Sequence, residues 1–263
     1  MERLRPLNDF IFKKLFGEPE SKENLRAFLN AILYNNIGNI KDKELTTDEI
    51  TNKTGIIDVL AKIDDGTHIN IEVQLTDQKN MDRRTLFYWS RIYNRGIIKG
   101  EDYSNLNKVI TINILDFNFI DLDKFHTEFT LRESEYTDYK LTDVLEIHFI
   151  EMPKFKNLNN KDLENDKLQR WLMFLRNDIS ESELEELIDM DNDIKKAEER
   201  LEYLSSDPQT MEIYWERERA LYEKANLIST GEHKEKVNTI LRSYKLGFTT
   251  KQIAQIVELE ENK

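Results

Sequence analysis

Apolar residues first recur at helical spacing over residues 8–36, where Phe12, Leu15 and Phe16 form one set and Phe28, Leu29, Ile32 and Leu33 another. A recurrence every three to four residues places each set on one face of a helix. Gly17, Pro19 and Ser21 lie between the sets and predict a break into two short helices. The pattern then changes. Residues 55–63, 67–75 and 108–115 are aliphatic runs bounded by turn residues, which predicts strands. A fourth run, 145–152, stops at Pro153. A helical stretch, 78–98, separates the second strand from the third, with Gly96 and Gly100 near its exit. Beyond Pro153 only helical patterns remain, over 163–176, 181–205, 209–228 and 235–244. This order predicts an α/β or α+β domain over residues 1–156 and a helical C-terminal region over 157–263. No repeat of 20 to 50 residues is present, so a solenoid is not indicated.

Composition narrows the class. In 263 residues, 39% are hydrophobic and 10% aromatic, enough to bury a core. The absence of cysteine excludes disulfides, zinc–thiolate sites and thiol catalysis. No apolar leader and no run of 18 apolar residues occurs, which predicts a cytoplasmic protein with no membrane partner. The formal net charge is −13, spread over both halves of the chain. Such acidity opposes broad contact with nucleic acid, which needs local positive charge.

Three polar residues stand out in the strands. Asp58 lies in Ile56-Ile57-Asp58-Val59-Leu60, and Glu72 and Gln74 lie in Ile71-Glu72-Val73-Gln74-Leu75. A carboxylate in so apolar a strand is costly unless it is paired, protonated or bound to a metal. Strand alternation puts Glu72 and Gln74 on one side. Whether Asp58 joins them depends on the hairpin around Asp64-Asp65-Gly66-Thr67. A two-residue turn would set Asp58 opposite Val73, on the wrong face. A three-residue loop or a bulge would set it opposite Glu72 or Gln74. Two carboxylates and an amide so gathered suit a hard divalent cation such as Mg²⁺. Two acids on a solvent-facing side of a sheet is the competing reading.

Taken in order, these residues resemble the PD-(D/E)XK nuclease core in a Glu-X-Gln variant, and more closely the Rpn-type recombination-promoting nucleases, or PD-(D/E)XK nuclease family transposases. The segments that carry the resemblance are 8–17, Ile57-Asp58-Val59-Leu60-Ala61, Ile71-Glu72-Val73-Gln74, 84–90, 100–110 and 146–155, across roughly residues 5–260. The resemblance implies a restriction-endonuclease-like core, a mixed sheet flanked by helices. It also implies an Mg²⁺-dependent (or Mn²⁺-dependent) DNA endonuclease with Asp58, Glu72 and Gln74 as catalytic residues. Asp58, Glu72 and the Val73 carbonyl would ligate the metal, and Asp9 on the first helix would add an outer contact. Gln74 stands where many such nucleases carry lysine, so the site lacks that positive charge. Asp9 has a structural alternative, since Asn8 or Asp9 suits a helix N-cap. A catalytically inactive DNA-binding or regulatory protein on the same fold is the alternative function.

DNA would need a basic surface. Residues 79–108 hold seven basic residues against three acidic ones. Arg84, Tyr88, Arg91 and Arg95 fall at i, i+4, i+7 and i+11, one helix stripe suited to phosphates and a stacked base. Leu86, Trp89 and Tyr93 are expected to supply packing. Near the C-terminus, 235–259 resembles the first two helices of a helix-turn-helix, with Thr249 or Thr250 as N-cap. The residues that follow are acidic. That favours packing or self-association there, including a homodimer through the helical region, over DNA reading. The four histidines are scattered over different elements, and His148 reads as structural.

Overall fold

The computed structural model describes residues 3–37, 45–48, 59–63, 65–97, 100 and 102–257. Among them a six-stranded sheet runs β1-β2-β3-β4-β6-β5. Its strands are β1 (Leu45–Asp48), β2 (Val59–Ile63), β3 (His68–Gln74), β4 (Val109–Leu115), β5 (His126–Thr130) and β6 (Leu145–Glu151). The antiparallel β1–β2–β3 meander joins a parallel β3–β4–β6 centre, and β5 returns antiparallel to β6. Parallel neighbours require a crossover. Between β3 and β4 it is helix α3 (Met81–Arg95). The central β4 is buried at all seven positions, as a strand covered on both faces must be.

The sheet has two unlike faces. On one, Ile69, Ile71 and Val73 of β3 lie beside Ile110, Ile112 and Ile114 of β4. They form the main core with Phe12, Phe16, Phe28 and Trp171. Phe12 ends α1 (Asp9–Phe12), and Phe16 lies in the following π-turn, Lys13–Gly17. A 3-10 turn at Pro19–Ser21 then leads into α2 (Lys22–Ile37), so the predicted break is real. The rings touch in sequence, Phe16 to Phe28 at 5.0 Å and Phe28 to Trp171 at 5.4 Å between centroids. On the other face lie Asn70, Glu72, Thr111 and Asn113, covered by α3.

The remaining helices are α4 (Met152–Lys156), α5 (Lys167–Phe174), α6 (Glu181–Met190), α7 (Asn192–Ser206), α8 (Pro208–Lys245) and α9 (Thr250–Ile256). Leu172, Leu187, Ile194 and Ala197 belong to the main core. The change of element type at Pro153 is therefore no break in packing: one compact unit runs from Met1 to Met211 and a second from Glu212 to Lys263. The helix expected over 181–205 is two helices. Asp191 divides it, capping α7 through Oδ1 and accepting Arg170 Nε at Oδ2, 2.9 Å away. Conversely, the helices expected over 209–228 and 235–244 are one, α8. In the second unit α8 ends at Lys245, with Gly247 (φ +82°) in the turn that follows, and Thr249 caps α9 in a capping box with Gln252. No helix among the described residues is long and apolar enough to cross a membrane.

Candidate active site

The β2–β3 hairpin sets the register of the site. Val59 lies opposite Ile71 and Lys62 opposite His68. Ile63 donates to the Thr67 carbonyl at 3.0 Å, so three residues, 64–66, separate the strands. Gly66 supplies the left-handed residue of this loop at φ +87°. A Cβ there would also lie 2.6 Å from the Asn107 side chain. This is the odd loop that a shared site requires. Even-numbered positions of β2 and β3 consequently share a face. Asp58 lies outside the described residues.

Glu72 sits at the centre of β3 and is 1% exposed. Its neighbour across the sheet is Asn113 of β4. Asn113 Nδ2 donates to Thr85 Oγ1 of α3 at 3.0 Å, which pins the helix over the strand. The preceding residue, Arg84, then reaches down to Glu72, Nη2 to Oε2 at 3.3 Å. Its guanidinium carbon also stands 5.1 Å from the Tyr88 ring centre. Burial pushes the Glu72 carboxyl up to about 7, against the opposing charge and hydrogen bond of Arg84 and a further lowering by Asn70.

The pairing is incomplete. Glu72 Oε1 and Arg84 Nε are both buried without a hydrogen-bond partner, as are Thr111 Oγ1 and Asn113 Oδ1 on the same face. Buried polar atoms are rarely left so. An unspent carboxylate oxygen fits a hard cation such as Mg²⁺, which takes one or two carboxylates with water and substrate phosphate. Val73 is buried on the opposite face, but its backbone is relevant here. The Gln74 carbonyl accepts from the N–H of Asp116, the residue just after β4, so alternation directs the Val73 carbonyl toward β2. Gln74, partly exposed, shares the Glu72 side of the strand. Among the described residues no three histidine or acidic side chains are grouped to hold a metal. Asn8 caps α1, accepting from Phe10 and Ile11, and Asp9 Oδ1 accepts the Phe10 N–H at 2.8 Å.

Helix α3 buries Met81, Thr85, Tyr88 and Ile92. The base-stacking position expected at Tyr88 is therefore corrected: its ring is 4% exposed and packs with Leu60, Ile92 and Val109. Tyr88 lies between two stripes, and the hydrophobic one claims it. Leu86, expected to pack, is exposed instead, as is Phe87, 51% open with the Arg91 guanidinium 5.7 Å from its ring centre. Arg91 is partly exposed and Arg95 exposed. Trp89 and Tyr93 do pack, stacked at 4.8 Å.

The core-side face holds a second polar cluster that no spacing foretold. Pairing of β5 with β6 brings His126 Nε2 to His148 Nδ1 at 2.9 Å. His148 Nε2 lies 2.9 Å from Glu146 Oε1, and Lys108 Nζ is 2.6 Å from Oε2. Burial, helped by His148, holds His126 down at about 4. A cleft of about 1150 Å³ opens beside both histidines, on the far side of the sheet from Glu72.

No curated protein and no solved structure matches the chain. The model of one family does, over residues 6–231. With the mixed sheet and its Glu72-Val73-Gln74 strand described, the chain belongs to the PD-(D/E)XK nuclease family of transposases.

Proposed function

We propose that the protein is a divalent-metal-dependent DNA endonuclease, with Mg²⁺ or Mn²⁺ held by Glu72, Asp58 and the Val73 carbonyl, and Asp9 as an outer contact. The observation that carries the reading is Glu72 itself: a buried carboxylate in a nuclease-family chain with Oε1 left unspent. Asp58, outside the described residues, is the second carboxylate that the resemblance implies. These residues would hold a metal, which when bound would supply activation of water and offset charge on the phosphoryl group. Water oxygen bonds to phosphorus, one P–O ester bond breaks, and a water proton ends on the leaving oxygen. Gln74, without charge, orients water or phosphate by hydrogen bonds. Arg84, Arg91 and Arg95 line the helix that would face the phosphate backbone, with Phe87 rather than Tyr88 as the exposed ring. The family points to DNA mobility or recombination as the setting.

Nicking of supercoiled plasmid in Mg²⁺ tests this. The wild type should nick, and Asp58→Ala and Glu72→Ala should not. Cleavage surviving both substitutions removes the site. Failure of the wild type to cleave, with DNA binding retained, favours the binding-protein alternative.

A further inference from the structure

Phosphodiester hydrolysis builds negative charge on the non-bridging oxygens, and an enzyme gains most by placing fixed positive charge there. Gln74 cannot provide it. The cation that does reach Glu72 comes from the other layer, Arg84 of α3. Three contacts aim it. The Thr85–Asn113 hydrogen bond fixes the helix, the Tyr88 ring lies under the guanidinium, and Glu72 Oε2 accepts from Nη2. A guanidinium facing a carboxylate commonly makes two parallel bonds of about 2.7–2.9 Å. Here one bond of 3.3 Å forms, and Nε–H on one side and Oε1 on the other remain unspent. A donor and an acceptor left over within one ion pair fit a ligand that brings both an anionic oxygen and a cation.

Resting on the nuclease reading, we propose that Arg84 supplies from α3 the positive charge that Gln74 cannot supply from β3, binding a non-bridging oxygen of the scissile phosphate while Glu72 turns Oε1 to the metal. Arg84 is then a catalytic residue rather than one more backbone contact of a basic helix. Its removal acts on rate far more than on DNA affinity.

The test uses the full chain as wild type, Arg84→Ala, Arg84→Lys, Gln74→Lys and the double variant Arg84→Ala/Gln74→Lys, each checked for folding by circular dichroism. In single-turnover cleavage with Mg²⁺, Arg84→Ala should lose roughly 10²–10³-fold in rate, as for loss of one transition-state donor. Arg84→Lys should retain more, and the double variant should recover at least part, since lysine then stands on the strand. DNA affinity in Ca²⁺ should fall by no more than about tenfold, the worth of one charged hydrogen bond and well short of the loss in rate. An Arg84→Ala rate equal to wild type, or a double variant no faster than Arg84→Ala while Gln74→Lys alone is active, overturns the assignment. A second readout needs no cleavage. With Mg²⁺ and no DNA, inorganic phosphate should bind wild type about tenfold more tightly than Arg84→Ala, the worth of one charged hydrogen bond, and the double variant should regain it. Equal phosphate affinity overturns the role of Arg84 whether or not the wild type cleaves. A wild type that binds phosphate through Arg84 but never cleaves sinks the nuclease reading alone.

Discussion

Replacing Glu72 by glutamine removes an ionising group from the inside of the sheet while keeping its shape. The carboxyl, ordinarily near 4.5, is pushed up to about 7 in the folded protein, chiefly by burial. Between these values the folded state holds a proton that the unfolded chain has released. Stability from protonated Glu72 is therefore full below about pH 4.5 and lost as pH rises through 7. A shift of about 2.5 units at 1.36 kcal/mol each amounts to roughly 3 kcal/mol. Glutamine resembles the protonated form at every pH, so Glu72→Gln should match wild type near pH 4.5 and exceed its stability by about 3 kcal/mol at pH 8. Urea unfolding followed by circular dichroism should show this as a midpoint gap of about 1 M, taking m at about 3 kcal/mol per M. Mg²⁺ at pH 8 should close the gap for wild type alone, by about 2.7 kcal/mol when present at 100 times its Kd. A gap that does not widen with pH, or a variant less stable than wild type at pH 8, would refute the claim that Glu72 is an incompletely compensated buried acid kept for binding.

Three further outcomes follow from the packing. Trp171→Ala opens the aromatic core between Phe16, Phe28 and Phe174 and should cost about 3–5 kcal/mol in chemical denaturation. Phe87→Ala should leave stability within about 0.5 kcal/mol but weaken binding of a fluorescent single-stranded oligonucleotide by about 1–3 kcal/mol, whereas Tyr88→Ala should cost stability first. Lys108→Met removes one of the partners of Glu146, which is 2% exposed and keeps His148, and should cost about 1.5–3 kcal/mol, the worth of one hydrogen bond to a charged group, read as a lower Tm.

Much of the site was legible along the chain because strand alternation and turn length are local properties. Glu72 and Gln74 share a side by spacing alone, and the three-residue loop 64–66 is the condition that spacing named in advance. Two strands escaped notice for a physical reason. β1 (Leu-Thr-Thr-Asp) and β5 (His-Thr-Glu-Phe-Thr) are edge strands, short and polar, and lack the aliphatic run that marks a buried strand. Helix breaks after Pro153 depart from the local periodicity in both directions. Asp191 ends a helix because Arg170, distant in sequence, shares its carboxylate, and Gly231 sits within α8 without stopping it.

What the sequence by itself determined is the alternation of helix and strand, the family signature and the identity of the strand carboxylates. Each depends on residues within a few positions of one another. Tertiary structure decided which groups those carboxylates meet. Arg84 is twelve residues from Glu72, and no local period joins a strand to the helix that covers it. The same holds for His126 and His148, scattered in the chain yet 2.9 Å apart once β5 pairs with β6. Tyr88 and Phe87 are adjacent and both aromatic, and only the position of the sheet beneath α3 settles which ring is buried and which faces solvent. Neighbours in space across a sheet are set by the packing of whole elements, and that information is not carried by any short stretch of chain.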